Sequence, residues 1–154
     1  MCRGELLLFL HADTRLPATF FEEIYATLDT GAIAGAFRFQ IDQAGWGLRC
    51  VEWATNLRSR ILEMPYGDQG LFLRSSDLFR LGGFQNWPLM EDYDLCRRVR
   101  RVGRIGLASA AATTSGRRWQ KLGMLKTTLI NQLCIAAFRL GLSPECIARY
   151  YYVK

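Results

Sequence analysis

The sequence has no CxxC pair, and its five cysteines, Cys2, Cys50, Cys96, Cys134 and Cys146, are odd in number and widely spread. Neither a zinc site nor a disulfide framework is expected from that pattern. Reduced thiols, as in a cytoplasmic protein, are. No signal peptide opens the chain, because the apolar stretch Glu5 to Leu10 is too short and acidic at its start. No apolar run approaches the ~20 residues needed to span a bilayer. Internal repeats and linkers are also missing, so a single domain over 1–154 is expected. No helix-turn-helix or RNA-binding signature accompanies the arginines, so a nucleic-acid partner is not expected.

What is present is a chain of 154 residues, half of them hydrophobic, long enough for one domain with its own core. The net charge is +6, from 20 basic and 14 acidic residues, and the basic residues are mostly arginine. Arginine suits two-pronged binding of phosphate or carboxylate. The charge therefore suits a phosphorylated substrate or an anionic surface, or else a solvated arginine-rich face.

Periodicity predicts strands alternating with helices, hence an α/β sandwich. The run ELLLFL, Glu5 to Leu10, reads as a buried, parallel, central strand followed by a loop from His11 to Arg15. A helix begins near Pro17 and ends at Gly31, and a strand covers Phe37 to Ile41. Trp46 to Leu62 is helical, with Leu48, Val51, Thr55 and Leu62 on one side. A strand from Gln69 to Arg74 leads into a short helix that stops at Gly82-Gly83. Glu91 to Arg101 is helical, and Arg104 to Ala108 is a strand that the following alanines and threonines extend. One long apolar helix runs from Trp119 to Leu140, interrupted by Lys126, Asn131 and Arg139. A last short helix starts at Pro144.

Four segments carry residues suited to chemistry. In HADT, Asp13 follows an apolar strand, where open α/β sheets gather ligands. Asp13 offers a hard oxygen to Mg²⁺ or Mn²⁺, and His11 an imidazole to the softer Mn²⁺. The plainer alternatives are a helix-capping Asp13 and a buried, hydrogen-bonded His11. In PLMEDYDL, the carboxylates Glu91, Asp92 and Asp94 crowd a helix start, so one of them is placed to act as a general base or all simply complement the helix dipole. In PYGDQGLFLR, Asp68, Gln69 and Gly70 form a tight loop that lets polar groups reach a ligand, or an ordinary turn. In TSGRRWQ, Arg117 and Arg118 beside Trp119 offer a phosphate clamp and a stacking face, or a basic surface step beside a core tryptophan.

In this order and spacing, LLLFLHAD, GDQGLFLR, LGGF and PLMEDYDLCRR resemble the second half of a family 2 glycosyltransferase. FLHADTRLP, PYGDQGLF, PLMEDYDL and SGRRW resemble one bacterial subgroup in particular, the radical-SAM/selenodomain-associated, or arsenosugar-biosynthesis, transferases. The resemblance covers nearly the whole chain. It implies a GT-A fold with a mainly parallel central sheet, a nucleotide-sugar donor and a divalent cation, Mn²⁺ or Mg²⁺. By resemblance Asp13 stands at the metal-binding aspartate of the DxD motif, with His11 replacing its first aspartate. Asp92 matches the catalytic base, and Glu91 its neighbour. Arg118-Trp119 resembles the end of the QxxRW motif, but Ser115 replaces the glutamine, so processive synthesis does not follow. Asp68, Gln69, Gly70, Arg117, Arg118 and Trp119 are the expected donor- and acceptor-binding residues. The family's first strands have no counterpart, so the chain is expected to be the acceptor-side, C-terminal portion of such a domain. The acceptor stays unspecified, and self-association and peripheral membrane contact stay open. The alternative is a truncated, non-catalytic domain that acts through a partner or through self-association.

Overall fold

A computed structural model describes residues 4–152; Cys2 lies outside them. The described chain is α/β. The strands are β1 (Leu6–Phe9), β2 (Thr14–Arg15), β3 (Ala34–Ile41), β4 (Leu71–Arg74) and β5 (Ile105–Thr114). The helices are α1 (Phe20–Asp29), α2 (Trp46–Leu62), α3 (Ser75–Arg80), α4 (Glu91–Val102), α5 (Arg117–Leu122), α6 (Met124–Arg139) and α7 (Pro144–Tyr152), and a single tight helical turn, Gly67–Gln69, precedes β4.

The five strands form one mixed sheet in the order β1-β4-β3-β5-β2. Only β3 and β5 run parallel; β1–β4, β3–β4 and β2–β5 are antiparallel. This corrects the expectation of a mainly parallel sheet. It also moves β1, which is half-buried and ends the sheet among the described residues instead of sitting at its centre. A continuous apolar run reports burial of a strand, not the direction of its neighbours, which is why the reading failed.

Alternation along β4 builds the two faces. Leu71 and Leu73 point to one side with Tyr93, Leu95 and Val99 of α4 and Ile147 of α7. Phe72 points to the other with Phe37 and with Ile24 and Leu28 of α1. This is the period-2 pattern of a strand covered on both sides. Glu23 fastens α1 to the sheet. Its carboxylate accepts the backbone N–H of Ser109 at 2.8 Å and of Ala110 at 3.2 Å. The β3–β5 register slips beside these residues, so their N–H groups would otherwise lack strand partners.

β4 pairs with β3 only at Ala34 and Gly35, which leaves the rest of that β3 edge without a strand. Polar side chains replace it. Gln69 Nε2 donates to the Phe37 carbonyl at 3.0 Å. Asn56 accepts the Phe39 N–H at 2.7 Å and donates to its carbonyl at 3.0 Å. Glu52 accepts the Ile41 N–H at 2.6 Å. Buried backbone groups must be paired, and here a helix supplies the partners. The sheet-facing side of α2 is accordingly polar, with Glu52 and Ser59 buried while Leu62 is exposed, contrary to the apolar stripe expected there.

Two further boundaries differ from the periodicity. The expected long helix from Trp119 to Leu140 is two helices, because Gly123 sits at φ 81° and turns the chain between α5 and α6. The loop from His11 to Arg15 contains β2, a two-residue strand pairing with Thr113 and Thr114.

Candidate functional site

The loops after β1 and β5, the turn before β4, the start of α4 and the inner sides of α6 and α7 enclose a cavity of about 250 Å³. His11 and Asp13 enter from the first loop, Tyr66, Gly67 and Asp68 from the turn, and Leu89 to Tyr93 from α4 and the segment before it. Ser115, Arg118 and Trp119 enter from the end of β5 and from α5. Of the ten residues named from sequence, His11, Asp13, Asp68, Glu91, Asp92, Arg118 and Trp119 therefore share one site.

The centre of the site is Asp92. Its Oδ2 accepts the Gly67 N–H at 2.6 Å, and its Oδ1 accepts the Tyr93 N–H at 2.6 Å. Each oxygen keeps a lone pair for a further proton or donor. Gly67 makes this approach feasible. A Cβ there would lie 2.7 Å from His11 Nε2 and 3.1 Å from Asp92 Oδ2, so His11, Gly67 and Asp92 pack with no room for a methyl group. Met90, at φ 72°, turns the chain into α4 and delivers the carboxylates to the cavity. Asp92 thus serves the helix start and the cavity together, whereas Asp94 turns away and pairs with Arg98 at 2.7 Å.

Burial, more than charge crowding, perturbs the carboxyls of the site. Burial pushes the Asp68 carboxyl up to about 6, and the nearby Asp92 charge pushes the same way, while Arg58 and His11 pull it down. Burial also raises Glu91, again with help from Asp92. Asp68 Oδ1 is buried with no hydrogen-bond partner, and so is Trp119 Nε1. Asp68 and Trp119 line the cavity, yet each keeps one polar atom that is closed to solvent and without a partner in the protein. Such groups are costly unless a ligand or water completes them.

Arg118 is the cation of the wall. Its guanidinium lies 4.1 Å from the centre of the Tyr151 ring, and it donates to the Tyr151 hydroxyl. None of the four ion pairs among the described residues involves it, so its charge faces the cavity without an acidic partner. Trp119 stands against Phe39, ring centres 6.0 Å apart.

Three residues named from sequence do not join the site. Gln69 is fully buried and spends its amide on the fold. Besides its bond to Phe37, its Oε1 accepts from Ser59 at 2.8 Å and from the Tyr66 N–H at 3.2 Å. Gly70 closes the turn below the cavity, beside Phe37, Leu10 and Leu16. Arg117 is exposed, and its Nε donates to Ser115 at 3.0 Å. The plainer readings of the first segment fail as well. His11 is exposed, and Asp13 lies well before α1, which begins after Thr19 with no side-chain cap.

The sequence reading missed Tyr66, Tyr93, Asn131 and Tyr151. Arg58 lies over the Tyr66 ring at 3.6 Å, behind Asp68. Arg139 donates to the Tyr93 hydroxyl at 2.6 Å. Asn131 lines the cavity from α6. Of the three polar interruptions in that apolar stretch, two thus point inward to the site or to its wall, and they were the available signal. Nothing in the sequence marked Tyr151.

The donor set bears on a cation. Among the described residues no group of three or more His, Cys, Asp or Glu is arranged to hold a metal ion. Asp13 fits an ion that arrives on phosphate oxygens and keeps waters, as Mg²⁺ or Mn²⁺ does, and His11 suits only the softer Mn²⁺, but the pair does not fit an ion held by protein ligands alone. In comparisons with known proteins, no protein-family model matches the chain and no curated protein matches it.

Proposed function

We propose that the chain carries the reaction centre of a GT-A-type inverting glycosyltransferase, moving a sugar from a nucleotide-sugar donor to an acceptor hydroxyl. The observation that carries this reading is convergence. Four segments far apart in the chain, each resembling a family 2 motif, line one cavity, and that cavity has an acidic centre, one unpaired arginine and an aromatic wall.

Asp92, fixed by two backbone N–H groups, accepts the proton of the acceptor hydroxyl. The freed oxygen attacks the anomeric carbon from the face opposite the leaving group. The bond to the nucleoside diphosphate breaks as the new bond forms, and the anomeric configuration inverts. Arg118 faces the negative charge that gathers on the departing diphosphate. Asp68 and Trp119 line the sugar pocket, with the Trp119 ring as a stacking face. Glu91 lies beside Asp92 and orients the acceptor. Asp13, with His11, would hold a divalent cation, whose chemistry is to offset phosphate charge.

Asp92→Asn is expected to lower turnover about 10²- to 10⁴-fold with nucleotide affinity nearly unchanged. The measurement is steady-state transfer, beside thermal shift with a panel of nucleoside diphosphates with and without Mn²⁺. Wild-type turnover in the variant removes Asp92 from the role. Asp68 is the competing base, since its carboxyl titrates near 6. A pH–rate inflection near that value that persists in Asp92→Asn and vanishes in Asp68→Asn would transfer the role to Asp68.

A second reading rests on β1, whose outer edge pairs with no described strand. An open edge recruits another strand. On that reading the chain acts by association, and light scattering would show an oligomer with no nucleotide affinity.

A further inference from the structure

The helix that walls the cavity is apolar on both sides. Its inner side carries Cys134, Ile135, Ala137 and Phe138 against the core. Its outer side repeats Leu125, Leu129, Leu133, Ala136 and Leu140, spaced by three or four residues and so on one face. These leucines are open to solvent, at 78%, 60%, 58% and 81% exposure. A helix apolar all round is ordinarily covered all round. Here one whole side is bare.

Two features identify the cover. The first is charge: between Arg117 and Tyr152 the sequence has six arginines and lysines and a single acid, Glu145, and although Arg118 and Arg139 turn inward, Arg117, Lys121, Lys126 and Arg149 are exposed. Lys121 and Lys126 are exposed near the start of the leucine face. The second is Trp46, 85% exposed, whose neighbour Gly47 packs against Met124 at the first turn of α6. Leucines on one face, lysines at its rim and a tryptophan at its end are the composition of a helix lying in a lipid interface. α6 is about 24 Å long at 1.5 Å per residue, and no described helix is long and apolar enough to cross a membrane.

We infer that the outer face of α6 seats on an anionic lipid surface, leucines in the acyl boundary and Lys121 and Lys126 against the headgroups. A nucleic acid would answer the charge but not the leucines. The site chemistry lies on the opposite side of α6, so the inference stands apart from the proposed reaction.

Vesicle co-sedimentation tests it. Vesicles of phosphatidylcholine with about a third phosphatidylglycerol should bind the protein about tenfold better than phosphatidylcholine alone, with salt weakening the difference. Leu129→Asp/Leu133→Asp, at exposed positions outside the cavity, should lose that binding while keeping the wild-type circular dichroism. Lys121→Glu/Lys126→Glu, which leaves the apolar face intact, should lose the preference for the anionic vesicles. Binding to neither vesicle overturns the inference. So does binding that the aspartates leave unchanged, since the leucines would then be irrelevant. A dimer dissociated by the aspartates would give the face to a second copy. Duplex DNA bound more tightly than the vesicles, indifferent to the leucines, would give it to nucleic acid.

Discussion

At Gly67 the missing side chain is what lets an imidazole and a carboxylate both crowd the backbone. The Cβ of Gly67→Ala would stand 2.7 Å from His11 Nε2, and the backbone there needs no left-handed conformation. The cheaper adjustment is for His11 to swing away, so stability should fall by only about 1 kcal/mol. Transfer, if the proposed chemistry holds, should fall tenfold or more, because Asp92 Oδ2, 3.1 Å from the new Cβ, must shift from the Gly67 N–H that fixes it. Kinetics beside a urea melt separates the two effects. Asp68 makes a prediction of opposite sign. Its folded pKa is raised from 3.8 to about 6, so its contribution to stability is complete below 3.8 and is lost as pH rises through about 6. Asp68→Asn removes that loss. The variant should melt higher than wild type at pH 7.5, by on the order of 1 to 3 kcal/mol, and the gap should close near pH 4. A variant less stable than wild type at pH 7.5 would mean that Asp68 makes a compensating bond when ionised.

At the scale of elements, the β3 edge shows side chains acting as a strand. Gln69, Asn56 and Glu52 answer Phe37, Phe39 and Ile41 in turn along it. Asn56→Ala leaves one buried N–H and one carbonyl unpaired and should cost about 1 to 3 kcal/mol. Gln69→Ala releases Phe37, Ser59 and Tyr66 together and should cost about 3 kcal/mol or more. Denaturant melts check both, and wild-type stability in Gln69→Ala would return Gln69 to the list of ligand-binding residues. The same element explains why the two polar residues of GDQG part company. Asp68 and Gln69 are adjacent, yet one faces the cavity and the other the core. In a tight turn neighbouring side chains diverge, so a motif's letters do not all share its purpose.

For the whole molecule, the sheet joins two faces of helices and leaves the cavity at one end, which β1 and β5 both reach through the loops that follow them. α6 links the two ideas proposed for the chain, with its inner side toward the cavity and its outer side toward lipid. If both hold, vesicle binding should survive Asp92→Asn and transfer in free solution should survive Leu129→Asp/Leu133→Asp. Sedimentation and kinetics on the same two variants check that independence.

Local sequence was sufficient wherever a residue's own neighbours decide its conformation. The span from Trp46 to Leu62, the acidic start and glycine end of the helix read over Glu91 to Arg101 and the extended alanine-threonine run to Thr114 all gave elements close to those observed. That His11, Asp13, Asp68, Glu91, Asp92, Arg118 and Trp119 share one cavity was expected only through the resemblance to family 2 transferases, since each segment's residue types alone left a plainer alternative open. Strand direction, the polar underside of α2, the burial of Gln69 and the arrival of Tyr151 at the cavity were decided only by tertiary structure. Each depends on which distant backbone group needs a partner and which chain segment supplies it, and no window of neighbouring residues contains that information.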